Sequence, residues 1–184
     1  IDAGAMEAAI TPATKAAVVV HNGGYPVDMD RVMDLAERRG LKIVEDCAHA
    51  HGTQWRGKGA GSIGHFGTFS FQMGKTLTCG EGGAVLTNDE DLAQRAFAHQ
   101  HIGPIPGRPF PETRRLGSNL RMTEWQGAIL RTQFQRLTEL TENRERNATY
   151  LAAGLKDIPG LDPIDRDPRV TRWGFYFWNF HYRQ

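Results

Sequence analysis

The sequence predicts an α/β fold in which a mostly parallel sheet is flanked by helices. Two short apolar runs, at residues 16–21 and 41–45, have the length of buried strands, and a stretch with helical periodicity lies between them. This strand, helix, strand order is typical of a right-handed crossover between parallel strands. The carboxyl ends of both strands should therefore meet at one edge of the sheet, where open α/β folds bind ligands.

The elements follow in order along the chain. Asp28 can cap a helix that runs to about Arg39, and Gly40 ends that helix. Residues 57–67 are rich in glycine and predict a loop, whereas residues 68–71 and 84–87 predict two further short strands. Lys75 lies between these strands.

The second half is predicted to be more helical. Asn88 and Asp89 begin a helix that reaches about Ala98, and the proline-rich residues 103–111 predict a loop that is either mobile or faces the substrate. Residues 123–126 form a capping box, which opens a long helical segment to about Lys156.

The chain ends with alternating aromatic residues that predict one face of a strand, for which the sequence offers no partner. We therefore divide the chain into residues 1–122, an α/β core, residues 123–158, a linking helical segment, and residues 159–184, the beginning of a further, small α+β domain.

Composition narrows the class of protein. The chain has 184 residues, 40% apolar residues and a net charge of +1, which indicates a soluble globular protein without a nucleic-acid partner. Its apolar runs are too short to span a membrane, and its first residues lack the pattern of a signal peptide. Two cysteines, Cys47 and Cys79, predict free thiols in a reducing compartment, so we expect a cytoplasmic protein.

Lys75 is the leading candidate for chemistry. Most lysines are solvated surface charges, but this one follows a strand end and precedes Thr76 and a glycine-rich turn. Asp46 ends a neighbouring strand, where it could cap the next turn or pair with a protonated pyridine nitrogen. Ser70 could face solvent or bind a phosphate oxygen. Together these residues suit an aldehyde cofactor that is held by a lysine as a Schiff base.

Two other kinds of site must be weighed. Residues 59–64 match the glycine fingerprint of dinucleotide-binding proteins, but the polar residues before it do not form the required strand. Cys47, His49 and His51 alternate and could present metal ligands on one face, although no second cluster with zinc spacing accompanies them. We therefore expect neither a nucleotide site nor a metal site.

Several motifs occur together in one order: residues 45–52 (EDCAHAHG), 67–71 (GTFSF) with Lys75, 80–88 (GEGGAVLTN) and 117–124 (GSNLRMTE). With residues 11–30, they closely resemble the DegT/StrS family of pyridoxal-phosphate-dependent aminotransferases over nearly the whole chain. The resemblance implies part of the large domain of a fold-type I transferase, and a homodimer with shared active sites. It also implies that a phosphate loop precedes residue 1 and a small domain follows residue 184. We therefore expect residues 1–184 alone to bind the cofactor weakly and to show no measurable turnover.

The resemblance also implies a role for each site residue. Lys75 matches the lysine that forms the Schiff base and moves protons, and Asp46 matches the carboxylate on the pyridinium nitrogen. Ser70 matches the serine on the cofactor phosphate, and Asn119 matches an asparagine that reaches the phosphate in the neighbouring subunit. His49 stands where many members carry glutamine, and is implied to contact the cofactor ring or its phenolic oxygen.

The implied reaction moves an amino group from glutamate or glutamine to a keto-cyclitol or keto-sugar in secondary-metabolite or cell-surface sugar biosynthesis. An aromatising enzyme similar to aminohydroxybenzoate synthase is the alternative, because members similar to it share the histidine at position 49. An inactive sensor or structural subunit of the same fold is a further alternative, although Lys75, Asp46 and Ser70 are all present. Dehydratase relatives usually replace the lysine with histidine, which this chain does not.

Overall fold

The structure, a computed structural model, describes residues 1–106 and 115–183. Part of the predicted loop at residues 103–111 lies outside the described residues. The helices are α1 (Ala3–Ala9), α2 (Met29–Arg39), α3 (Glu90–Gln100), α4 (Glu124–Gln135) and α5 (Leu137–Leu155). The strands are β1 (Ala16–Val20), β2 (Lys42–Asp46), β3 (Gln54–Trp55), β4 (Lys58–Gly59), β5 (Phe66–Ser70), β6 (Gly83–Leu86), β7 (Leu161–Pro163), β8 (Val170–Arg172) and β9 (Phe180–Tyr182).

The main sheet has four strands in the order β1, β2, β5, β6. Strand β2 is parallel to both β1 and β5, whereas β6 is antiparallel to β5. The register places Val20 opposite Asp46 and Asp46 opposite Thr68, so three strand ends meet at one edge. This arrangement confirms the predicted α/β fold and parallel crossover, with one antiparallel strand that makes the sheet mixed.

Helix α2 is the crossover between β1 and β2, and its ends agree with the sequence analysis. The Asp28 side chain accepts a hydrogen bond from the Arg31 N–H at 3.1 Å, and Gly40 closes the helix with a φ of 65°. An apolar face of α2 forms the main core with residues of β1, β2, β3 and β8 and with Trp173, which follows β8. The core residues are Val19, Met29, Val32, Leu35, Ile43, Trp55, Val170 and Trp173.

The glycine-rich stretch at residues 57–67 is not wholly a loop. Its Lys58–Gly59 pair forms β4, which is antiparallel to β3, and β3 pairs in turn with β8 from the far end of the sequence. Strands of two or three residues carry too little alternation to be recognised without their partners. The prediction of an uninterrupted loop was therefore wrong.

The predicted long helical segment is two helices. Its capping box is present, because Thr123 Oγ1 accepts a hydrogen bond from the Gln126 N–H and Gln126 Oε1 accepts one from the Thr123 N–H. The helix is interrupted at Arg136, whose N–H bonds to the carbonyl three residues back, at 3.1 Å from Gln133 O. This tighter turn separates α4 from α5.

The aromatic strand near the end of the chain has a partner, contrary to the prediction. Strand β9 is antiparallel to β7, with Phe180 opposite Pro163 and Tyr182 opposite Leu161. The three-residue β7 carries too short a pattern to predict a strand, which explains the error. The proposed division into three parts stays a prediction. None of the helices in the described part of the chain has the length and apolar character needed to cross a membrane.

Candidate active site

The end of β2 presents two neighbouring carboxylates in opposite directions, because successive side chains of a strand alternate between the faces of the sheet. Glu45 is fully buried, whereas Asp46 is half-buried. Each carboxylate has a different set of neighbours, and the two sets define the two sides of the candidate site.

Glu45 accepts four hydrogen bonds. Its Oε2 accepts from His21 Nε2 and the Gly61 N–H, both at 2.9 Å. Its Oε1 accepts from the Ile63 N–H at 2.8 Å and the Gly64 N–H at 2.6 Å. Burial alone would raise the pKa of Glu45, but the bonds from His21 and the two glycine amides outweigh it and lower that pKa. Glu45 is therefore a buried carboxylate whose charge is satisfied within the protein.

These bonds explain the glycine fingerprint at residues 59–64. Backbone N–H groups of that loop converge on the Glu45 carboxylate, as such groups converge on a phosphate in a nucleotide-binding protein. Gly61 has a φ of 85°, and a Cβ there would lie 2.7 Å from the Phe69 ring. The loop thus requires glycine in order to hold a carboxylate of the protein itself. This bonding accounts for the glycine pattern without a nucleotide.

A cluster of possible metal ligands adjoins the same carboxylate, with ligand atoms of His21, Glu45 and Cys47 within 4.8 Å of one another. The His21 Nδ1 accepts a hydrogen bond from the Val27 N–H at 3.1 Å, so Nε2 carries the proton that it donates to Glu45. Burial raises the pKa of the Cys47 thiol, and the charges of Glu45 and Asp46 raise it further. These atoms form a hydrogen-bonded core. The alternating trio of Cys47, His49 and His51 is not gathered within that distance in the described residues.

Asp46 faces the other side of the strand end. Its Oδ1 accepts a hydrogen bond from the Ala48 N–H at 3.0 Å, which fixes the carboxylate at the start of the following turn. Within the described residues its Oδ2 makes no hydrogen bond to the protein, so this oxygen remains able to accept one. The turn-capping interpretation and the chemical interpretation of Asp46 therefore use different oxygens.

His49 follows on the same turn, and its Nδ1 accepts a weak hydrogen bond from the Gly23 N–H at 3.4 Å. In the neutral ring this contact leaves the proton on Nε2. Burial lowers the pKa of His49, the Lys75 charge lowers it further, and the Asp46 charge partly opposes them. The three side chains thus act on one another electrostatically, and His49 is neutral near neutral pH.

Lys75 lies on a tight turn after β5. Its N–H donates to Gln72 O at 2.9 Å, and Gln72 Oε1 accepts from the Gly74 N–H at 2.8 Å. Ser70 Oγ accepts a hydrogen bond from the Gln72 N–H at 3.3 Å, so its hydroxyl lies at the base of the turn that carries the lysine. The Lys75 Nζ is 5.1 Å from the centroid of the Tyr176 ring.

Asn119 is exposed and contacts other residues. Its backbone forms an antiparallel bridge with His101, and its Oδ1 accepts a hydrogen bond from Arg121 Nε at 2.8 Å. Within the described residues it makes no hydrogen bond to Lys75, Asp46 or His49. The structure thus brings these three together and leaves Asn119 on the surface, and the roles of all five predicted residues remain predictions.

The sequence analysis missed two residues of this site, Gly23 and Tyr176. The first contacts His49 through its backbone, and the ring of the second stacks on His49 with centroids 4.1 Å apart. Tyr176 was assigned only to the face of a strand. The density of aromatic residues at positions 173–178, five of six, was the available indication, because so many large rings in one short segment indicate a packing or binding role.

His51 lies on the far side of the same turn and is 2% exposed. Neither of its ring nitrogens has a hydrogen-bond partner among the described residues. Burial lowers the pKa of His51 to about 4, and the charges of Lys75 and Arg144 act in the same direction. The ring lines an apolar cavity of about 600 Å³ between the sheet and helix α4, together with Phe69, Phe71, Leu77, Leu130 and Phe134.

Comparison with known proteins shows which family and which structures the chain resembles. The model of the DegT/DnrJ/EryC1/StrS aminotransferase family matches residues 1–182. An L-glutamine:2-deoxy-scyllo-inosose aminotransferase from Streptoalloteichus tenebrarius is 44% identical over 185 residues, covering 96% of this chain and 43% of the relative.

Two solved structures are also similar. The structure of 3-amino-5-hydroxybenzoic acid synthase has a TM-score of 0.88 and 36% identity, over 96% of this chain and 46% of its own. That of DesV from S. venezuelae, in complex with a ketimine intermediate, has a TM-score of 0.89 and 37% identity, over 97% of this chain and 47% of its own. The chain therefore spans less than half the length of these relatives. On its sequence and its fold, the chain belongs to the DegT/DnrJ/EryC1/StrS aminotransferase family.

Proposed function

We propose that the protein is a pyridoxal-phosphate-dependent aminotransferase that moves an amino group from glutamine or glutamate to the ketone of a cyclitol or sugar. The observation that carries the proposal is the convergence of Lys75, Asp46 and His49 at the edge of the sheet where β2 and β5 end. Membership of an aminotransferase family supports it.

The polar groups of this chain fit the proposed cofactor. Among the described residues, Lys75 forms no ion pair and Asp46 retains an oxygen without a hydrogen bond, as a site for a charged ligand requires. Beside the lysine, Thr76 Oγ1 is buried without a hydrogen-bond partner in the described residues. A buried hydroxyl of this kind normally has a partner, so the turn offers a bond that a ligand can complete.

Each side chain has a proposed task that its contacts permit. Asp46 would hold the pyridine nitrogen through its open oxygen, and Ser70 would donate its hydroxyl hydrogen to the phosphate. Neutral His49 would donate from Nε2 to the phenolic oxygen. Bound pyridoxal phosphate supplies a cationic ring that withdraws electrons from the reacting carbon of the substrate. The Lys75 amine would hold the cofactor and then carry a proton to or from that carbon.

The surroundings of Lys75 leave its amine available to a cofactor. Its turn is held by the Gln72 and Ser70 contacts, while the amine lies beside the Tyr176 ring and no carboxylate in the described residues pairs with it. The turn thus holds the lysine in place without an ion pair to its amine in the described residues.

We also propose that the active protein is a homodimer in which Asn119 reaches the phosphate of the neighbouring subunit. The exposure of Asn119 supports this role, because an exposed side chain is accessible to a second chain. Cytoplasmic localisation stays a prediction, and the two free cysteines, both buried, agree with it.

A keto-cyclitol is the proposed acceptor because a relative with 44% identity is named for 2-deoxy-scyllo-inosose. The test is a panel of acceptors with the protein expressed from its complete coding sequence and loaded with pyridoxal phosphate. With L-glutamine as the donor, we expect amination of scyllo-inosose or its 2-deoxy form, measured by mass spectrometry. Reaction with nucleotide keto-sugars alone would overturn the cyclitol assignment.

The aromatising reaction remains the second candidate, because the synthase structure is similar at 36% identity. The same panel separates the two when it includes an amino-keto cyclohexene carboxylate, the class of precursor that loses water to become aromatic. Aromatic product, detected by its ultraviolet absorbance, would favour the second candidate over the first.

A further inference from the structure

Tyr176 and His49 lie face to face, although 127 positions separate them in the chain. Their ring centroids are 4.1 Å apart and their planes differ by 8°. The edge of Phe177 meets His49 at a centroid distance of 5.4 Å and an angle of 67°. The imidazole is therefore bounded by one parallel ring and one tilted ring, which together fix its plane.

One glycine holds both stacked rings. The Gly23 N–H donates to His49 Nδ1 at 3.4 Å, and the Gly23 carbonyl accepts from the Tyr176 N–H at 3.1 Å. Gly23 has a φ of 64°, and a Cβ there would lie 3.0 Å from the Phe177 ring. A side chain at this position would thus strain the backbone and push the aromatic segment away from His49.

The segment that carries Tyr176 is also tied down two residues earlier. The Gly174 N–H donates to Thr53 Oγ1 at 2.9 Å, and the same hydroxyl donates to Gly24 O at 2.7 Å. Arg144 Nε donates to the Gly174 carbonyl at 2.8 Å. These bonds join the segment to Thr53, to Gly24 and to helix α5, so they fix the backbone two residues before Tyr176.

The other neighbour of Tyr176 is Lys75, whose Nζ lies 5.1 Å from the ring centroid. An ammonium at this distance is attracted to the negative face of an aromatic ring. One ring therefore contacts two of the three side chains that the proposed function requires.

We propose that Tyr176 is a positioning residue of this site, whose ring fixes the plane of His49 with its proton on Nε2 and confines the Lys75 amine. This inference rests on the proposed function, which gives His49 a cofactor-facing hydrogen bond. Its basis is the geometry of the stack and of the Gly23 turn. The phenol hydroxyl has no part in it, so a phenylalanine serves equally well.

The first test uses the protein without cofactor. Nitrogen-15 chemical shifts of the His49 ring report which nitrogen carries the proton. We expect the native protein and Tyr176→Phe to show the Nε2–H form alone. Tyr176→Leu and Tyr176→Met, which keep apolar bulk but lack a flat ring, should show an averaged mixture of both forms. The control is Tyr150→Ala, which removes a tyrosine that is 84% exposed on α5 and should leave the shifts unchanged.

The second test measures the dissociation constant of pyridoxal phosphate for the same variants. Loss of an aromatic contact is worth about threefold to tenfold in binding, so Tyr176→Leu should weaken affinity by about that factor. Tyr176→Phe should change it by less than about twofold. Rescue by phenylalanine distinguishes ring placement from a role of the hydroxyl.

Native shifts and native affinity in Tyr176→Leu and Tyr176→Met would overturn the inference. Unfolding of both variants while Tyr176→Phe and Tyr150→Ala stay folded would also overturn it, since the ring would then serve the fold alone. A failure of the proposed function looks different, because the native protein itself would then form no adduct at Lys75.

Discussion

Glu45 and Asp46 are adjacent carboxylates at the end of one strand, yet they occupy contrasting environments. Glu45 is buried, accepts four hydrogen bonds and has no bonding capacity left for a ligand. Asp46 is half-buried, uses one oxygen in a turn and keeps the other open among the described residues. The difference shows how the alternation of a strand separates a carboxylate that is bonded within the protein from one that can still accept a hydrogen bond from a ligand.

The strongest test of this difference between the two carboxylates is to remove the charge of Asp46. Asp46→Asn keeps the oxygen that accepts from the Ala48 N–H, so we expect unfolding free energy to change by less than about 0.5 kcal/mol. Aminotransferase kcat should fall by about 10²-fold to 10³-fold, because a preorganised charge is lost. Steady-state kinetics and urea unfolding measure the two effects.

Asp157→Asn is the matched control, since this aspartate is exposed on the surface. A variant at position 46 that unfolds easily yet keeps full turnover would reverse the roles assigned to the two carboxylates.

The converse change is Glu45→Gln. The amide replaces one acceptor oxygen with a donor that faces N–H groups, so we expect a loss of about 3 kcal/mol in the free energy of unfolding. Urea denaturation measures it. Glu37→Gln, on the exposed face of α2, should cost less than about 0.5 kcal/mol.

We also expect Glu45→Gln to keep its kcat when it is assayed well below its melting temperature, because Glu45 bonds only within the protein. An intact fold with no turnover would show instead that Glu45 takes part in the chemistry.

A third prediction concerns pH and His51, whose pKa is lowered to about 4 by burial. The unfolded chain binds this proton more readily, with a pKa of about 6.5. The stabilisation is therefore complete above about pH 6.5 and is lost as the pH falls towards 4, up to about 3 kcal/mol. The free energy of unfolding, measured by urea denaturation across this pH range, should fall with this slope as the pH is lowered.

His51→Leu removes the titrating ring while it keeps an apolar wall for the cavity. The free energy of unfolding of this variant should therefore fall less than that of the native protein as the pH is lowered from about 6.5 to 4. His99→Leu, at an exposed position, should retain the native slope. An unchanged slope in His51→Leu would mean that other groups cause it.

The smallest predicted effect is that of His49→Gln, which places the residue common in the family at this position. Because the pKa of His49 is lowered by burial and by Lys75, its protonation should reduce kcat on the acid side of about pH 6.5. Glutamine should keep kcat within about tenfold and remove that acid-side inflection. The pH profile of kcat measures it, and persistence of the inflection would assign it to another group.

The sequence predicted features that depend on neighbouring residues. The crossover from β1 through α2 to β2 was predicted because the Asp28 cap, the Gly40 stop and the apolar periodicity all lie within one short stretch. The grouping of Asp46 and Lys75 followed from the rule that parallel strands end at one edge.

Features that depend on distant partners could not be predicted in this way. The pairing of β3 with β8 and of β7 with β9 joins strands of two or three residues. Such short strands are recognised only when their partners are known. The contact of Tyr176 with His49 depends on the backbone of Gly23, and no local pattern specifies such a contact. Glu45 was visible in the motif, but its four donors were not.

Borohydride reduction is the direct test of whether Lys75 holds the cofactor. The protein, expressed from its complete coding sequence, is incubated with pyridoxal phosphate, reduced and digested, and the modified peptide is identified by mass spectrometry. We predict a single phosphopyridoxyl group on Lys75, absent from Lys75→Arg and unaffected by Lys58→Arg at an exposed lysine. Labelling elsewhere, or none, would contradict the account and favour a sensor or structural subunit of the same fold.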